Sequence, residues 1–473
     1  MTTSPSSPPS RPAAFPSGFQ WGVATSSHQI EGDRPRRGDN VWDVFSRIPG
    51  AVEDGHHADV ACDHLNLVAD DVALMADLGI HAYRFSFAWP RVLPDGTGDL
   101  SGAGLAQYDR LVELLLTHGI EPVPTLFHWD LPLALEAQGG FRVRDCAYWF
   151  ADYAALMAEH FGDRIRRWAT HNEPWCFSYL GHASGEHAPG HTDPAAAVAV
   201  AHHLLLGHGL ALQAMRAERS RLELGIVVNL SQVHVDEATD PDIARRVDGT
   251  LNRWFLDPVI HARYPSDVVD DLGHWLSVVQ DGDEDVIGQR LDWLGVNYYN
   301  DHFYTAADGQ DADRQAGRPT PHVSAGDIRP FVPDTPTTGI GWPITPSGFE
   351  QLLVRLRRDY GDALPPLWIT ENGAAYDDPV VDGRCHDERR VHYYDAHLRA
   401  VLAAIEAGVD IRGYFAWSLL DNFEWAYGYN QRFGLVHVDY ETLARTPRTS
   451  AYWYAERCRT NALPPHGHVP GIG

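Results

Sequence analysis

Short apolar or aromatic runs that end in polar or charged residues recur along the chain. Longer segments with helical spacing lie between them; in one of these, Leu111, Val112 and Leu115 share a helix face. The runs are Phe19–Ser26, His81–Trp89, Glu121–Asp130, Ile165–Glu173, Leu224–Leu230, Trp293–Tyr299, Leu367–Glu371 and Ile411–Asp421. The segments with helical spacing are Asp70–Leu78, Leu105–Leu116, Ala147–His160, Ala196–Met215, Phe349–Arg358 and Arg389–Glu406.

This alternation of buried strand and helix predicts an α/β protein with parallel strands. Eight such units indicate a single (β/α)8 TIM barrel, which we expect to occupy residues 15–460. A doubly wound open sheet alternates in the same way and is the alternative. No Gly-rich dinucleotide-binding turn follows the first run, and its absence favours the barrel.

The two ends of the chain have a different character from the rest. Residues 1–14 are rich in Ser and Pro and lack the apolar stretch of a signal peptide, so we expect a disordered N-terminal tail. Residues 461–473 are expected to form a C-terminal tail. No run of about 18 apolar residues occurs, which argues against a membrane span.

Charge and cysteine content narrow the classes of function. The chain has 37 basic and 64 acidic residues, a net charge of −27, and no lysine at all. The missing lysine excludes Schiff-base and pyridoxal phosphate chemistry and a Walker-type loop, while the charge argues against nucleic acid and anionic membranes. The five cysteines are odd in number and lack Cys-x-x-Cys spacing, which favours a reducing compartment. Because no signal peptide is recognised, we expect a cytoplasmic location.

The carboxyl ends of the predicted strands carry the candidate chemistry, because in a barrel they meet at the face that holds the active site. The residues there are carboxylates, amides, aromatic rings and one arginine. They are His28, Gln29, Arg84, Trp89, His128, Trp129, Asp130, Asn172, Glu173, Asn229, Asn297, Tyr299, Glu371, Trp417, Glu424 and Trp425. No phosphate cradle or metal cluster is found among them, so we predict neither a metal nor a cofactor.

Two of these residues, Glu173 and Glu371, end short apolar runs and are followed by Pro174 and Gly373. They lie 371 − 173 = 198 positions apart, so only the fold can bring them together. Strands four and seven of a barrel can face each other across its mouth. Paired carboxyls suit glycoside hydrolysis, in which one protonates the leaving oxygen and the other attacks the anomeric carbon. A structural ion pair is the alternative for either residue alone.

The surrounding residues suit a sugar, which has apolar C–H faces and a rim of hydroxyls. Aromatic platforms and hydrogen-bonding side chains are the groups that such a ligand needs. Trp129, Trp417 and Trp425 offer rings, and Gln29, His128, Asn172 and Glu424 offer hydrogen bonds.

Two rival chemistries have weaker support in the sequence. A metallohydrolase barrel would carry His or Asp ligands at its strand ends, whereas His202 and His203 lie in a helix-like segment and are expected to be structural. Cys176 lies close to Glu173 along the chain, but no His pairing marks it as a nucleophile. We expect Cys176 to be a buried structural residue.

Six motifs in order make the chain similar to the family 1 glycoside hydrolases, over roughly residues 15–457. They are Phe19 to Gly32 (FQWGVATSSHQIEG), Tyr83–Ser86 (YRFS), His128–Pro132 (HWDLP), Thr170–Pro174 (THNEP), Ile369–Gly373 (ITENG) and Trp417–Trp425 (WSLLDNFEW). The resemblance implies a β-glucosidase that acts with retention through a covalent glycosyl-enzyme.

The resemblance also implies roles for single residues. Glu173 would be the acid/base and Glu371 the nucleophile, with Arg84 supporting the nucleophile. The substrate-contacting residues would be Gln29, His128, Trp129, Asn172, Asn297, Tyr299, Trp342, Trp417, Glu424, Trp425 and Phe433. We expect Arg84 to lower the pKa of Glu371, and the charge of Glu371, with partial burial, to be the chief cause of a raised pKa at Glu173.

The predicted substrates are small molecules, namely β-glucosides and cello-oligosaccharides cleaved at the terminal non-reducing glucosyl residue. The resemblance implies that Glu424 reaches both the 4- and 6-hydroxyls, so β-galactosides and β-fucosides are also expected to be cleaved. A non-catalytic carbohydrate-binding relative is the alternative; such a protein keeps the barrel and loses a carboxylate, but both are present here. The sequence carries no indication of oligomeric state.

Overall fold

The computed structural model of the chain describes residues 13–306, 318–326 and 328–465. Eight parallel strands pair in chain order within it and close into a barrel, with β8 hydrogen-bonded to β1. The strands are β1 (Gln20–Ala24), β2 (Ala82–Ser86), β3 (Glu121–Phe127), β4 (Arg167–Asn172), β5 (Glu223–Asn229), β6 (Trp293–Asn297), β7 (Leu367–Asn372) and β8 (Ile411–Trp417). Each overlaps one of the eight predicted runs, so the (β/α)8 barrel is confirmed and the open sheet is excluded.

Helices surround the barrel and overlap all six segments of predicted helical spacing. The longer ones are α1 (His64–Asp77), α2 (Gly102–Thr117), α3 (Asp145–Phe161), α4 (Pro194–Glu218), α5 (Pro241–Asp248), α6 (Trp254–His261), α7 (Ser266–Leu272), α8 (Pro346–Tyr360), α9 (Glu388–Glu406) and α10 (Thr449–Thr460). Helix α2 shows why such a segment folds this way. Ser101 caps its first turn by accepting a hydrogen bond from the Gly104 amide, and Leu111, Val112 and Leu115 are buried against the barrel.

Shorter elements lie in the connections between the barrel strands and the longer helices. Helical turns are formed by Ser27–Ile30, Val41–Phe45, Trp89–Val92, Leu133–Glu136 and Asp283–Ile287, and a π-helical segment by Cys176–Ser184. A three-stranded outer sheet pairs Val233–Val235, His302–Ala306 and Ile328–Pro330. Part of this sheet comes from the segment after β6, which places that segment beside the mouth of the barrel.

At the amino-terminal ends of the strands, the inside of the barrel is filled by small residues packed against large rings. Ala82 and Ala169 belong to one buried cluster with Trp293 and Trp368. The guanidinium of Arg167, at the start of β4, lies 4.2 Å from the ring centroid of Trp368. This packing closes the amino-terminal end, so a ligand must enter from the carboxyl end of the strands.

Helix α4 is long and apolar enough to cross a membrane by composition, with a mean hydropathy of 1.5 over 18 residues. The same window is 78% buried inside the protein, as in the core helix of a soluble fold. Its His202 contacts the Tyr264 hydroxyl at 2.9 Å and Asp283 at 2.9 Å. The structural role predicted for this histidine is confirmed.

The ends of the described chain meet each other. Ala13–Ala14 pairs in antiparallel fashion with Ala462–Leu463, so the ordered unit extends beyond the predicted limits of 15 and 460. The rest of the predicted tails, 1–12 and 466–473, lies outside the described residues. All five cysteines are buried and free, as the absence of a disulfide framework predicts.

Candidate active site

A cavity of about 440 Å³ opens at the carboxyl ends of the strands. Most of the predicted site residues line it together. They are His128, Trp129, Asn172, Glu173, Asn297, Tyr299, Trp342, Glu371, Trp417, Glu424, Trp425 and Phe433. Gln29 and Arg84 are fully buried and do not line the cavity, but each contacts a residue that does. The fold therefore brings the predicted set into one place.

Hydrogen bonds join the two carboxyls through the side chains between them. Asn297, at the end of β6, donates to Glu173 Oε1 at 2.8 Å. Arg84 Nη1 donates to Glu371 Oε1 at 2.5 Å, and the Tyr299 hydroxyl donates to Glu371 Oε2 at 2.7 Å. Asn172 Oδ1 accepts from both Arg84, at 2.6 Å, and Asn297, at 3.1 Å. One network thus sets the positions of both acids.

The two carboxyls are both buried but have different charged and polar neighbours. Burial first, and the nearby charge of Glu371 second, raise the pKa of Glu173 to about 8. Burial also raises the pKa of Glu371, against the opposing effects of Arg84 and the Tyr299 hydroxyl. The cation and the phenol both favour the anion at Glu371, so the shared proton belongs on Glu173.

These causes refine two expectations from the sequence. The expected causes at Glu173 were its partner's charge and partial burial; both act, and burial is the larger because Glu173 is only 5% exposed. Arg84 does act to lower the pKa of Glu371 as expected, but burial outweighs it and the net direction is upward. The positions of Glu173 and Glu371 at strand ends did not reveal how deeply their carboxyls are buried.

Replacing Arg84 with methionine tests its role in keeping Glu371 charged. Loss of the guanidinium removes the main influence that lowers the pKa of Glu371, so this pKa should rise. The acidic limb of the kcat/KM profile should then move to higher pH, by about one unit or more. Arg84→Lys keeps the charge and is the matched control, with a smaller displacement expected. An acidic limb that stays in place in Arg84→Met would contradict the role.

Polar atoms without protein partners face one side of the cavity. His128 Nε2 accepts a hydrogen bond from Asn172 Nδ2 at 3.0 Å, which leaves the buried Nδ1 without a partner among the described residues. Burial lowers the pKa of His128 well below its usual value, so the ring is neutral and Nδ1–H is a donor. Glu424 Oε2 is likewise buried and unpartnered, and burial raises its pKa to about 8. Such atoms suit the hydroxyls of a sugar.

Aromatic rings form the wall of the same side. The rings of Trp417 and His128 lie nearly parallel with centroids 6.0 Å apart, and Trp425 packs against Trp129 at 4.6 Å. Trp129 donates its indole N–H to the Asn172 carbonyl at 2.8 Å, so this polar group is already satisfied within the protein. The rings of Trp129, Trp417 and Trp425 all line the cavity, so their faces can act as sugar platforms.

Several site residues have strained backbones. Trp129, Glu173 and Trp425 have φ values of 75°, 45° and 48°, in the left-handed region that non-glycine residues rarely adopt. Such conformations persist where the surrounding structure holds them, and they concentrate at functional sites.

Gln29 is held by the loop that follows β8. Its Nε2 donates to Asn422 Oδ1 at 2.9 Å and to the Phe423 carbonyl at 2.9 Å, while its Oε1 accepts from Ser26 at 2.6 Å. Asp421 anchors the same loop through both terminal nitrogens of Arg448, each at 2.8 Å. This arrangement fixes the segment that carries Glu424 and Trp425.

The outer part of the cavity includes residues that sequence analysis did not assign to the substrate site. They are Trp175, Cys176, Glu186, His187, Asn229, Arg318, His322 and Tyr427. Asn229 was recognisable as a strand-end residue, and Trp175 and Cys176 directly follow Thr170–Pro174. His322 and Arg318 belong to the unpatterned segment after β6, so nothing in the local sequence marked them. On this side, Tyr299, Trp342 and Phe433 form a group of rings with centroids 5.4 to 6.0 Å apart.

A metal centre has no support among residues 13–306, 318–326 and 328–465. No group of three or more His, Cys, Asp or Glu side chains there could hold a metal ion. A closed (β/α)8 barrel that carries two buried carboxyls, one stabilised as the anion and one as the acid, together with rings and free polar atoms, defines a glycoside hydrolase.

Comparisons with known proteins give the family. Residues 11–463 match Glycosyl hydrolase family 1. The chain is 50% identical over 452 residues to thermostable beta-glucosidase B of Thermobispora bispora, covering 95% of this chain and 92% of the relative. It is 42% identical over 455 residues to a bifunctional beta-D-glucosidase/beta-D-fucosidase of Bifidobacterium breve, covering 93% and 97%.

A solved structure is similar as well. The crystal structure of the psychrophilic beta-glucosidase from Micrococcus antarcticus superposes with a TM-score of 0.91 at 44% identity, covering 95% of this chain and 98% of the other. The chain therefore belongs to glycosyl hydrolase family 1 and is an enzyme of the β-glucosidase type.

Proposed function

We propose that the enzyme releases terminal, non-reducing β-D-glucosyl residues with retention of configuration, in two displacement steps. The observation that carries this proposal is the pairing of the two buried acids. Glu371 is held by Arg84 and Tyr299, whereas Glu173 is held by a neutral amide and keeps its proton to about pH 8. A charged nucleophile beside a protonated acid is the starting state that a retaining glycosidase needs.

In the first step, a Glu371 carboxylate oxygen forms a bond to the anomeric carbon while the bond from that carbon to the glycosidic oxygen breaks. Glu173 gives its proton to the departing oxygen. The ester at Glu371 carries no charge, so the Coulombic influence that raises the pKa of Glu173 is removed. Glu173 thus stays ionised when it is needed as a base.

In the second step, Glu173 takes a proton from water as the water oxygen forms a bond to the anomeric carbon. The ester bond to Glu371 breaks, and its electron pair returns to the carboxylate. Two inversions restore the β configuration. The acid of the first step is protonated again at the end, so the cycle needs no cofactor.

The substrate class follows from the polar atoms in the cavity. His128 Nδ1–H and Glu424 Oε2 are free to bind hydroxyls of the glycone. We propose tolerance of β-galactosides, which differ from glucosides at C4, and of β-fucosides, which differ at C4 and lack the 6-hydroxyl. The name of the Bifidobacterium breve relative supports this for fucosides. Cello-oligosaccharides are the proposed natural substrates.

The stereochemistry of the released sugar tests the proposal directly. Aryl β-glucoside is incubated with the enzyme in D2O and the anomeric protons are followed by NMR before mutarotation. The β-anomer should appear first, because two displacements occur at the same carbon. Release of the α-anomer would show a single displacement and refute the two-step mechanism.

A panel of aryl glycosides tests the glycone preference. β-Glucoside, β-galactoside, β-fucoside and 6-phospho-β-glucoside are compared by kcat/KM. The first three should be hydrolysed. The phosphorylated sugar should be rejected by at least about 10²-fold, since its phosphate would be buried beside the Glu424 carboxyl and the chain has no lysine to pair with its charge. Efficient hydrolysis of the phosphorylated substrate would contradict this reading of the pocket.

A further inference from the structure

Cys176 is placed so that its side chain contacts the acid that the proposed mechanism uses. Its amide donates to the Glu173 carbonyl at 2.9 Å, and this turn leads directly into the π-helical segment Cys176–Ser184. The turn carries the Cys176 thiol back over the carboxyl, with Sγ 3.3 Å from Glu173 Oε2. Cys176 also lines the cavity.

The two oxygens of Glu173 have different partners. Oε1 accepts from Asn297 Nδ2 at 2.8 Å, and the orientation of that amide is set by Thr370, whose hydroxyl donates to Asn297 Oδ1 at 2.7 Å. Oε1 therefore has to remain an acceptor, and the proton carried by Glu173 belongs on Oε2. The thiol of Cys176 thus contacts the oxygen that gains and loses the proton.

The thiol itself remains protonated. Burial raises the pKa of Cys176 well above its usual value, and the charges of Glu173 and Glu371 raise it further. The group is consequently an S–H donor whenever the enzyme is active. When Glu173 is ionised, this donor can stabilise the carboxylate at Oε2; sulfur is a weak donor, so the effect is modest.

We propose that Cys176 is a positioning residue for Glu173, whose thiol holds Oε2 in place and stabilises the carboxylate that activates water in the second step. This inference rests on the proposed function. It differs from the role expected from the sequence, in which Cys176 was only a buried structural residue.

Cys176→Ala, Cys176→Ser and Cys146→Ala test the inference. Cys146 is also buried and free, but it does not line the cavity, so its variant is the matched control for loss of a buried thiol. In Cys176→Ala the lost donor should raise the pKa of Glu173, and the basic limb of kcat/KM should move up by about half a pH unit. Serine restores a donor, so Cys176→Ser should have its limb at or below the wild-type position.

A second readout isolates the base step. With 2,4-dinitrophenyl β-glucoside the leaving group needs no proton, and hydrolysis of the glycosyl-enzyme limits turnover. Under these conditions kcat of Cys176→Ala should fall about threefold to tenfold. Added azide needs no general base, so it should remove most of the difference from the wild type.

The outcomes separate this inference from the proposed function. If Cys176→Ala keeps the basic limb of Cys146→Ala, or if Cys176→Ser behaves like Cys176→Ala, the thiol does not act as a donor and the inference is overturned. Retention of configuration and the behaviour of Glu173 variants are measured independently and would still stand. If instead the enzyme inverts, the proposed function fails before the role of Cys176 arises.

Discussion

Glu371→Ala should lose at least about 10⁴-fold in kcat on aryl β-glucosides, because the residue that forms the covalent intermediate is gone. The cavity should remain intact, since Arg84 keeps its hydrogen bond to Asn172. Azide should enter the space left by the carboxyl and attack the anomeric carbon of an activated substrate. One displacement then yields the α-glucosyl azide, which is identified by NMR.

Glu388→Ala is the control for this experiment, because Glu388 is an exposed carboxylate at the start of α9. Its activity should equal that of the wild type. A β-glucosyl azide from Glu371→Ala, or substantial hydrolysis without azide, would show that another group is the nucleophile.

Glu173→Gln should separate substrates by the acidity of their leaving groups. The amide preserves the shape and still accepts from Asn297, but it has no carboxylic proton to donate and cannot act as a base. For a leaving group such as an alkoxide or a second sugar, kcat/KM should fall about 10²- to 10⁴-fold, whereas 2,4-dinitrophenolate leaves unaided in the first step. Burst kinetics would show the glycosyl-enzyme accumulating on the activated substrate.

The same variant should lose the basic limb of the pH profile. In the wild type, kcat/KM requires protonated Glu173, whose pKa is about 8, so activity should decline as the pH rises through that value. Glutamine does not titrate, and the decline should disappear. Equal losses on activated and unactivated substrates, with the limb unchanged, would contradict the acid/base role.

Much of the fold was readable in advance because strand and helix patterns are local. All eight predicted runs coincide with barrel strands, and residues at their polar ends, such as Asn172, Asn297 and Glu371, do lie at one face. The residues that line the outer cavity could not be predicted in the same way. His322 and Arg318 enter it from an irregular segment, where contact depends on the path of the chain and no periodicity is present.

The contacts that individual residues make within the site could be predicted only in part from the sequence. Trp129 was predicted to contact substrate and does line the cavity, but the hydrogen bond from its indole N–H to the Asn172 carbonyl was not predicted. Cys176 was expected to be a buried structural residue; it is buried, but the contact of its thiol with Glu173 was not predicted. Hydrogen-bond partners depend on side-chain directions, which the residue types alone do not specify.

By itself, the sequence determined the type and order of the strands, the absence of lysine chemistry and the pair of acids at strand ends, because these follow from residue type and short-range spacing. Only the tertiary structure decided which side chains of the site contact each other. Asn297 reaches Glu173 across 124 positions, and Arg84 reaches Glu371 across 287. The depth of burial that sets the pKa of Glu173 likewise arises from packing of the closed barrel, since desolvation is a property of all the surrounding atoms.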